Sequence, residues 1–325
     1  MDNITHTLTG LMMSRAGLKR LSPRAGAIAM IAANIPDVDV ISGFWGAPAY
    51  FHYHRWYTHA WLMIPVMAVL PVLIVRLFTR KGLPWGRAYA VSLIAAASHP
   101  LLDFTNPYGI RFLMPFSYQW PSLDIVNVFD LWLWGVLFIA AAWPSLSGLV
   151  SSEIGARQTQ GSGWAIFALA FIPMYDGARL LLKEQAVGLQ ESRVYNGATP
   201  RRVSVMPSAA NPFLWQGVVE TDEFFILQDV NLLGDFDPTL GRVLYKRPGN
   251  AATDAAQRTR VFQDIMGFSK ALLWRTMPDT SSEGAQRVEA SDLRFGFTAY
   301  AIVNARNEVE RTGFAFGRPD SRQAK

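Results

Sequence analysis

The stretch WAIFALAFIPMYDGARLLL, residues 164–182, decides the class of this protein. It comes close to the ~20 apolar residues that a helix needs to cross the hydrocarbon core of a bilayer. It is also the last such run in the chain. Upstream, residues 60–78 and 131–149 have the same length and character, and residues 88–102 form a shorter apolar run that ends in His99 and Asp103. Residues 5–18 and 23–35 are helix-like, rich in Ala, Gly and Met, and too short to span; they read as half-inserted or packed inside a bundle. Half of the 325 residues are hydrophobic and 17% are charged, which excludes disorder and argues against an ordinary soluble globule. The sequence opens without a basic n-region, so retention of the N-terminal segment is expected.

Charge divides the chain at the same place. Lys and Arg outnumber Asp and Glu by 13 to 9 up to Glu184 and by 17 to 16 beyond it. The excess lies in the apolar half and is not interleaved with aromatics, so it reads as membrane topology and no nucleic-acid partner is expected. Lys19, Arg20 and Arg24 form one basic cluster, and Arg76, Arg80, Lys81 and Arg87 form another. By the positive-inside rule both face the cytoplasm. The opposite helix ends then carry His6, Asp37, Asp39, His59, His99 and Asp103 to the outer side. Continuing from there, the loop 104–130 is external, the span from Leu131 returns inside near Arg157, and the span from Trp164 exits again. The fold expected is a mostly α membrane protein: a polytopic helical bundle at 1–184, followed by an extramembrane, periplasmic α+β domain at 185–325. In that tail, residues 201–206, 213–220, 224–230 and 293–303 read as strands, 254–276 as a helix, 196–200 as a linker, and 319–325 as a frayed end.

All five histidines fall within the first 99 residues, each at or near a helix end together with carboxylates. His99-Pro100-Leu101-Leu102-Asp103 sets an imidazole and a carboxylate at i and i+4, on one helix face. Pro36-Asp37-Val38-Asp39 sets two carboxylates at alternate positions, where an extended segment points both the same way. So close a pair repels unless a cation or proton lies between them. His54 and His59 enter the first span, and His6 adds another imidazole, whereas His52 reads as a loop residue. Ionisable groups at membrane depth are expensive, and here they gather on one side. With no cysteine, mixed His and Asp ligands suit zinc, manganese or iron, one or two ions, and the excess over four candidates points to two ions rather than one closed structural site. Such a site activates water for hydrolysis, most naturally of a phosphate ester. Arg55 and Arg111 are candidates to clamp the phosphate, or else a carboxylate partner and an interfacial anchor. Asp176 and Arg179, at i and i+3, read as an ion pair, and Asp130 as a helix cap. Gly-x-Ser-x-Gly, a phosphate-binding Gly-rich loop and His-Glu-x-x-His are all absent.

Taken in order, Asp2-Asn3-Ile4-Thr5-His6, Pro36-Asp37-Val38-Asp39, His54-Arg55 with Thr58-His59, Ser98-His99-Pro100-Leu101-Leu102-Asp103, and Asn106-Pro107-Tyr108-Gly109 leading to Pro115-Phe116-Ser117 resemble the YdjM-like family of bacterial inner-membrane metal-dependent hydrolases. The resemblance covers about residues 1–180. Asn211-Pro212-Phe213-Leu214-Trp215 and Asp292-Leu293-Arg294-Phe295 resemble the extension of its longer members. A more distant similarity, in the His-x-x-x-Asp helix, is to zinc-dependent phospholipase C and the S1/P1 nucleases. It implies an all-helical core and phosphodiester hydrolysis, although no histidine follows His99 to supply their later motifs.

The reading is thus a multi-pass inner-membrane hydrolase whose site lies on the periplasmic side. The ligand candidates are His6, Asp37, Asp39, His54, His59, His99 and Asp103; Asp39, as a ligand or as the group that orients water, and Arg55 are the catalytic candidates. A membrane phospholipid is the expected substrate class. The alternative is a non-catalytic scaffold, in which the metal ties short helices together and the external domain binds a partner. A metal or proton transporter fits less well, because the ionisable residues do not continue across the bilayer.

Overall fold

Asp2 opens the first helix. Its carboxylate accepts from the backbone N–H groups of Ile4 at 2.9 Å and Thr5 at 3.0 Å, capping α1 (Asn3–Ala16). The computed structural model describes residues 1–79, 82–153, 161–280 and 282–317. Arg80, Lys81, Arg157 and residues 319–325, on which parts of the topology and the frayed end were read, lie outside the described residues. The chain divides into two compact units. One comprises residues 1–40, 55–181 and 209–211, and the other 41–54, 182–208 and 212–325.

The first unit is helical. After α1 come α2 (Ala25–Ala32) and a 3₁₀ helix, Ile35–Trp45, that begins in this unit. Next in the chain are α3 (Ala47–Tyr53), which belongs to the second unit, and a short 3₁₀ turn, Tyr57–His59. The run expected as one span at 60–78 is interrupted at Ala68, giving α4 (Ile64–Met67) and α5 (Val69–Leu77). The shorter apolar segment is a longer helix than expected, α6 (Trp85–Thr105), and is followed by α7 (Leu131–Glu153) and α8 (Ser162–Glu191). Asp130 caps α7 by accepting from Trp132 N at 3.0 Å and Leu133 N at 3.2 Å, and its burial raises its carboxyl pKa above the usual range.

Small residues bring these helices together. Ala25, Ala29 and Ala32 of α2 pack with Ala88, Ala95 and Ala96 of α6 and with Val72 and Val75 of α5. A Cβ on Gly10 would lie 2.5 Å from the carbonyl oxygen of Ala29, so only glycine lets α1 approach the α2 backbone this closely. A second core joins Met12 of α1 to Leu137 and Ala140 of α7 and Ala165 and Ala168 of α8. Among the described residues α8 alone is long and apolar enough to cross a membrane by itself. Two pairs of consecutive helices reach that standard only if each bent pair counts as one span.

The second unit holds two four-stranded antiparallel sheets. β1 (Arg202–Pro207), β2 (Leu214–Glu220), β3 (Phe224–Asn231) and β4 (Arg242–Tyr245) form one in sequence order. β5 (Leu272–Pro278), β6 (Gln286–Asp292), β7 (Thr298–Val303) and β8 (Val309–Ala315) form the other. Between them lie α9 (Ala251–Gln257) and α10 (Arg260–Phe268). The helix expected at 254–276 is instead two, broken where Thr259 is extended, and the second stops at Phe268, because Ser269 turns the backbone to extended geometry before β5. The strand expected at 293–303 is cut by a turn. Asp292 accepts from Arg294 N at 3.0 Å and Phe295 N at 2.9 Å and so ends β6. The residues read as a linker begin with a tight turn, with Asn196 and Gly197 at positive φ and Tyr195 bridged to Ala198.

Candidate metal centre

Four elements of the helical unit deliver the ionisable groups. His99 and Asp103 stand one turn apart on α6, with His99 Nε2 3.3 Å from Asp103 Oδ2. His59 closes the 3₁₀ turn before α4, and its Nε2 lies 3.0 Å from His99 Nε2 and 3.4 Å from Asp103 Oδ2. Asp37, on the 3₁₀ helix after α2, places Oδ1 3.4 Å from His59 Nε2 and 3.5 Å from His99 Nε2. His6 comes from α1, its ring stacked on His99 with centroids 3.8 Å apart and its Nε2 3.4 Å from Asp103 Oδ1. The side chains of His6, His59, His99 and Asp103 are fully buried; that of Asp37 is 13% exposed.

The far side of each ring fixes its near side. His99 Nδ1 lies 2.6 Å from the carbonyl oxygen of Ala33, at the end of α2, and can only donate there. That tautomer leaves a lone pair on Nε2. His59 Nδ1 lies 3.3 Å from Asp39 Oδ2, which turns the His59 Nε2 lone pair inward in the same way. Two ring lone pairs and two carboxylates thus face one another over 3.0–3.5 Å. The Arg55 guanidinium and the terminal amine of Met1 meet Asp103 at Oδ1, on its other oxygen; the inward side remains unfavourable unless a further cation joins these atoms.

The separations have a simple meaning. Ligand atoms about 2.0–2.1 Å from one ion lie about 3.3 Å apart at tetrahedral corners and about 3.0 Å apart at octahedral ones. Five of the six separations among the Asp37, His59, His99 and Asp103 ligand atoms fall between 3.0 and 3.5 Å. The four ligand atoms all lie within 4.8 Å of one another. Both ring nitrogens of His6 and Oδ2 of Asp103 are buried without a hydrogen-bond partner among the described residues. Leaving such a group orphaned costs about 1–3 kcal/mol, so the donor set fits a divalent ion.

Asp37 and Asp39 stay together as the sequence leads one to expect, on a different backbone. The Asp37–Asp39 segment is 3₁₀ instead of extended, and a carboxylate oxygen of each lies within 4.8 Å of one of the other. They reach opposite nitrogens of His59: Asp37 at Nε2 and Asp39 at Nδ1. Asp39 Oδ2 also accepts from Arg55 N at 2.9 Å and the Thr58 hydroxyl at 2.6 Å.

Arg55 is buried, at positive φ, and its guanidinium meets Asp103 Oδ1 at 3.1 Å, Asn106 Oδ1 at 3.2 Å and the Gly109 carbonyl at 3.1 Å. A Cβ on Gly109 would lie 2.4 Å from the Pro121 carbonyl oxygen, so glycine is what allows this turn. Arg111 is also buried, stacked over the Trp120 ring at 3.9 Å. His54 ends α3 in the second unit, its ring stacked on Tyr50 at 4.7 Å. His52 lies in α3 and pairs through Nδ1 with Asp264 at 2.9 Å. Nothing in the sequence links those two residues, which are far apart in the chain. The expected Asp176–Arg179 pair does not form: Arg179 Nε donates to the Ile125 carbonyl at 2.9 Å, and Asp176 Oδ1 has no hydrogen-bond partner among the described residues. The Ala33 carbonyl that orients His99 is main chain, and so leaves no mark on residue type.

A family model described as YdjM inner membrane protein matches residues 1–186, which contain every residue of the cluster. The chain belongs to this family. Two curated proteins are similar to it. YfhP of Bacillus subtilis (strain 168) is 28% identical over 140 residues, which cover 40% of this chain and 42% of that protein. The inner membrane protein YbcI of Escherichia coli (strain K12) is 34% identical over 119 residues, covering 35% of this chain and 67% of that protein. The match therefore spans less than half the length of YfhP. No solved structure matches. The inner membrane of the family's description agrees with the apolar helical half, and the YdjM match ends before the first strand of the sheet unit.

Proposed function

We propose that this YdjM-family protein is a metal-dependent hydrolase of the inner membrane that cleaves a phosphate ester, with a membrane phospholipid as its substrate class. The observation that carries the reading is the buried convergence of Asp37, His59, His99 and Asp103 beside His6, whose ring nitrogens have no hydrogen-bond partner among the described residues. These residues hold the ion, zinc first among borderline-hard metals, with manganese or iron as the other candidates. A bound divalent ion at this place lowers the pKa of water and polarises a phosphoryl oxygen.

The remaining residues position the ligands. Asp39 and the Ala33 carbonyl hold His59 and His99 as neutral rings with Nε2 aimed at the cluster. Arg55 keeps Asp103 ionised and in place. Asp37 is the one ligand of the four that solvent reaches, so a substrate approaches from its side. We read the helical half as polytopic, with residues 60–78, α6, α7 and α8 crossing in turn and the cluster on the periplasmic side. The basic residues Lys19, Arg20, Arg24, Arg76 and Arg87 at the opposite ends support that orientation.

Complete burial of His59, His99 and Asp103 favours a second reading, a closed structural ion that ties α1, α2 and α6 together. One experiment separates the two. Metal content per chain is measured on detergent-purified protein, together with hydrolysis of bis(p-nitrophenyl) phosphate before and after chelation. Bound metal with chelator-sensitive turnover supports the hydrolase; bound metal without turnover on this probe or on phospholipid vesicles supports the structural ion; no metal defeats both.

A further inference from the structure

The sheet unit carries a group of arginines that the metal centre leaves unused. β4 and β5 are end strands of their sheets, each with one edge that has no strand partner among the described residues. Leu244 of β4 and Leu273 of β5 meet in one apolar cluster. Arg242 and Arg275 lie two positions along the same strands and so share the faces of those leucines, at the rim of that cluster. Arg247 follows β4, and all three arginines line a cleft of about 430 Å³.

This cleft is lined by three arginines and, among the described residues, by no carboxylate, although Arg242 also borders a cleft lined by Asp229, Asp235 and Asp237. Glu289, the cross-strand neighbour of Arg275, is held by Arg287 at 2.7 Å. Among the described residues none of Arg242, Arg247 and Arg275 forms an ion pair. Partial burial, together with the fields of Arg242 and Arg247, lowers the Arg275 pKa against the opposing pull of Glu289. Guanidiniums crowded in this way repel one another, and their planar forks match the oxygens of a phosphate. A second, adjoining cleft of about 780 Å³ shares Arg247, Trp274, Thr276 and Met277 with the first. Beyond them it is lined by Pro248, Gly249, Pro278, Gly284 and Ala285 and by the polar side chains of Asn250, Thr253, Gln257 and Gln286, with Asn250 donating to Gln286 at 2.9 Å. Trp274 is braced by Phe262, stacked at 5.6 Å. Amides and hydroxyls beside an indole suit a polyhydroxylated ring.

We propose that the joined clefts bind a sugar phosphate, its phosphate on Arg242, Arg247 and Arg275 and its sugar in the amide-lined basin beside Trp274. This site is independent of the metal centre and of the hydrolase reading. The test is calorimetric titration of full-length, detergent-solubilised protein, treated with chelator so that phosphate cannot bind through metal. The probes are glucose 1-phosphate, glucose, inorganic phosphate and hexaglutamate. Glucose 1-phosphate is expected to bind at least ~10-fold more tightly than the other three. Arg242 and Arg247 are exposed, so Arg242→Ala and Arg247→Ala keep the fold, checked by circular dichroism, and each weakens glucose 1-phosphate ~10-fold or more. Gln257→Ala weakens glucose 1-phosphate and leaves phosphate unchanged. The proposal is overturned if no probe binds, if phosphate or hexaglutamate binds as tightly as glucose 1-phosphate, or if both arginine variants bind undiminished.

Discussion

Nδ1 of His59 lies 3.3 Å from Oδ2 of Asp39, on the side of the ring away from His99 and Asp103. The carboxylate thereby decides which nitrogen of His59 bears the proton and which faces the cluster. Removing such a partner from a metal-bound histidine costs about 10–100-fold in metal affinity or activity. Asp39→Ala is therefore expected to retain the same number of metal sites per chain while binding each ion about 10–100-fold more weakly. A competition titration against a chromophoric chelator measures this. Unchanged affinity would remove Asp39 from the centre.

Asp103 has a stronger claim, because it touches His6, Arg55, His59 and His99 at once. Asp103→Ala is expected to abolish stoichiometric metal binding, whereas His52→Ala leaves it intact, since His52 is engaged with Asp264 in the other unit. Chelation should lower the melting temperature of the parent protein, because each orphaned buried group costs about 1–3 kcal/mol. In Asp103→Ala chelation should change nothing further. Equal metal content in the two variants, or a parent melting temperature indifferent to chelator, would count against the centre.

Much of this centre is legible in the sequence, for a definite reason. His99 and Asp103 lie at i and i+4 in a helix, and helical periodicity fixes their common face whatever the rest of the chain does. Asp37 and Asp39 show the limit. Their spacing marks a pair, but which way each points depends on whether the backbone is extended or 3₁₀, and that is settled by packing. Arg55 has the same ambiguity: the sequence allows a phosphate clamp or a carboxylate partner, and tertiary structure brings Asp103, Asn106 and Gly109 to it. In the tail, β1 to β3 are legible as short apolar runs between turn residues, with Trp215 and Val230 facing a core, whereas β5 lies behind helical periodicity that runs into it.

The orientation proposed for the chain rests on basic residues alone and is open to a direct test. A phosphatase fusion after Glu191 is expected to be active in intact cells, and a fluorescent-protein fusion at the same point dark, if the tail is periplasmic. A fusion at Thr79, next to the basic Arg76, is expected to give the reverse pattern. Fluorescence from the Glu191 fusion would invert the topology and move the cluster to the cytoplasmic face.

Gly10 links packing to chemistry. It lies one helical turn from His6 on α1, and a Cβ there would come within 2.5 Å of the Ala29 carbonyl oxygen and 2.8 Å of its carbon. Backbone cannot yield as a flexible side chain does, so Gly10→Ala must push α1 from α2. Overpacking of this kind costs about 1–3 kcal/mol. The same shift moves His6 relative to His99, whose ring it stacks on and whose Nδ1 is tied to Ala33 at the end of α2. Gly10→Ala is accordingly expected to lower both the melting temperature and metal affinity. Gly135→Ala in α7, where the new methyl meets nothing within 4 Å, should lower neither. Loss of stability with undiminished metal affinity would mean that His6 is not set in place by the close approach of α1 to α2.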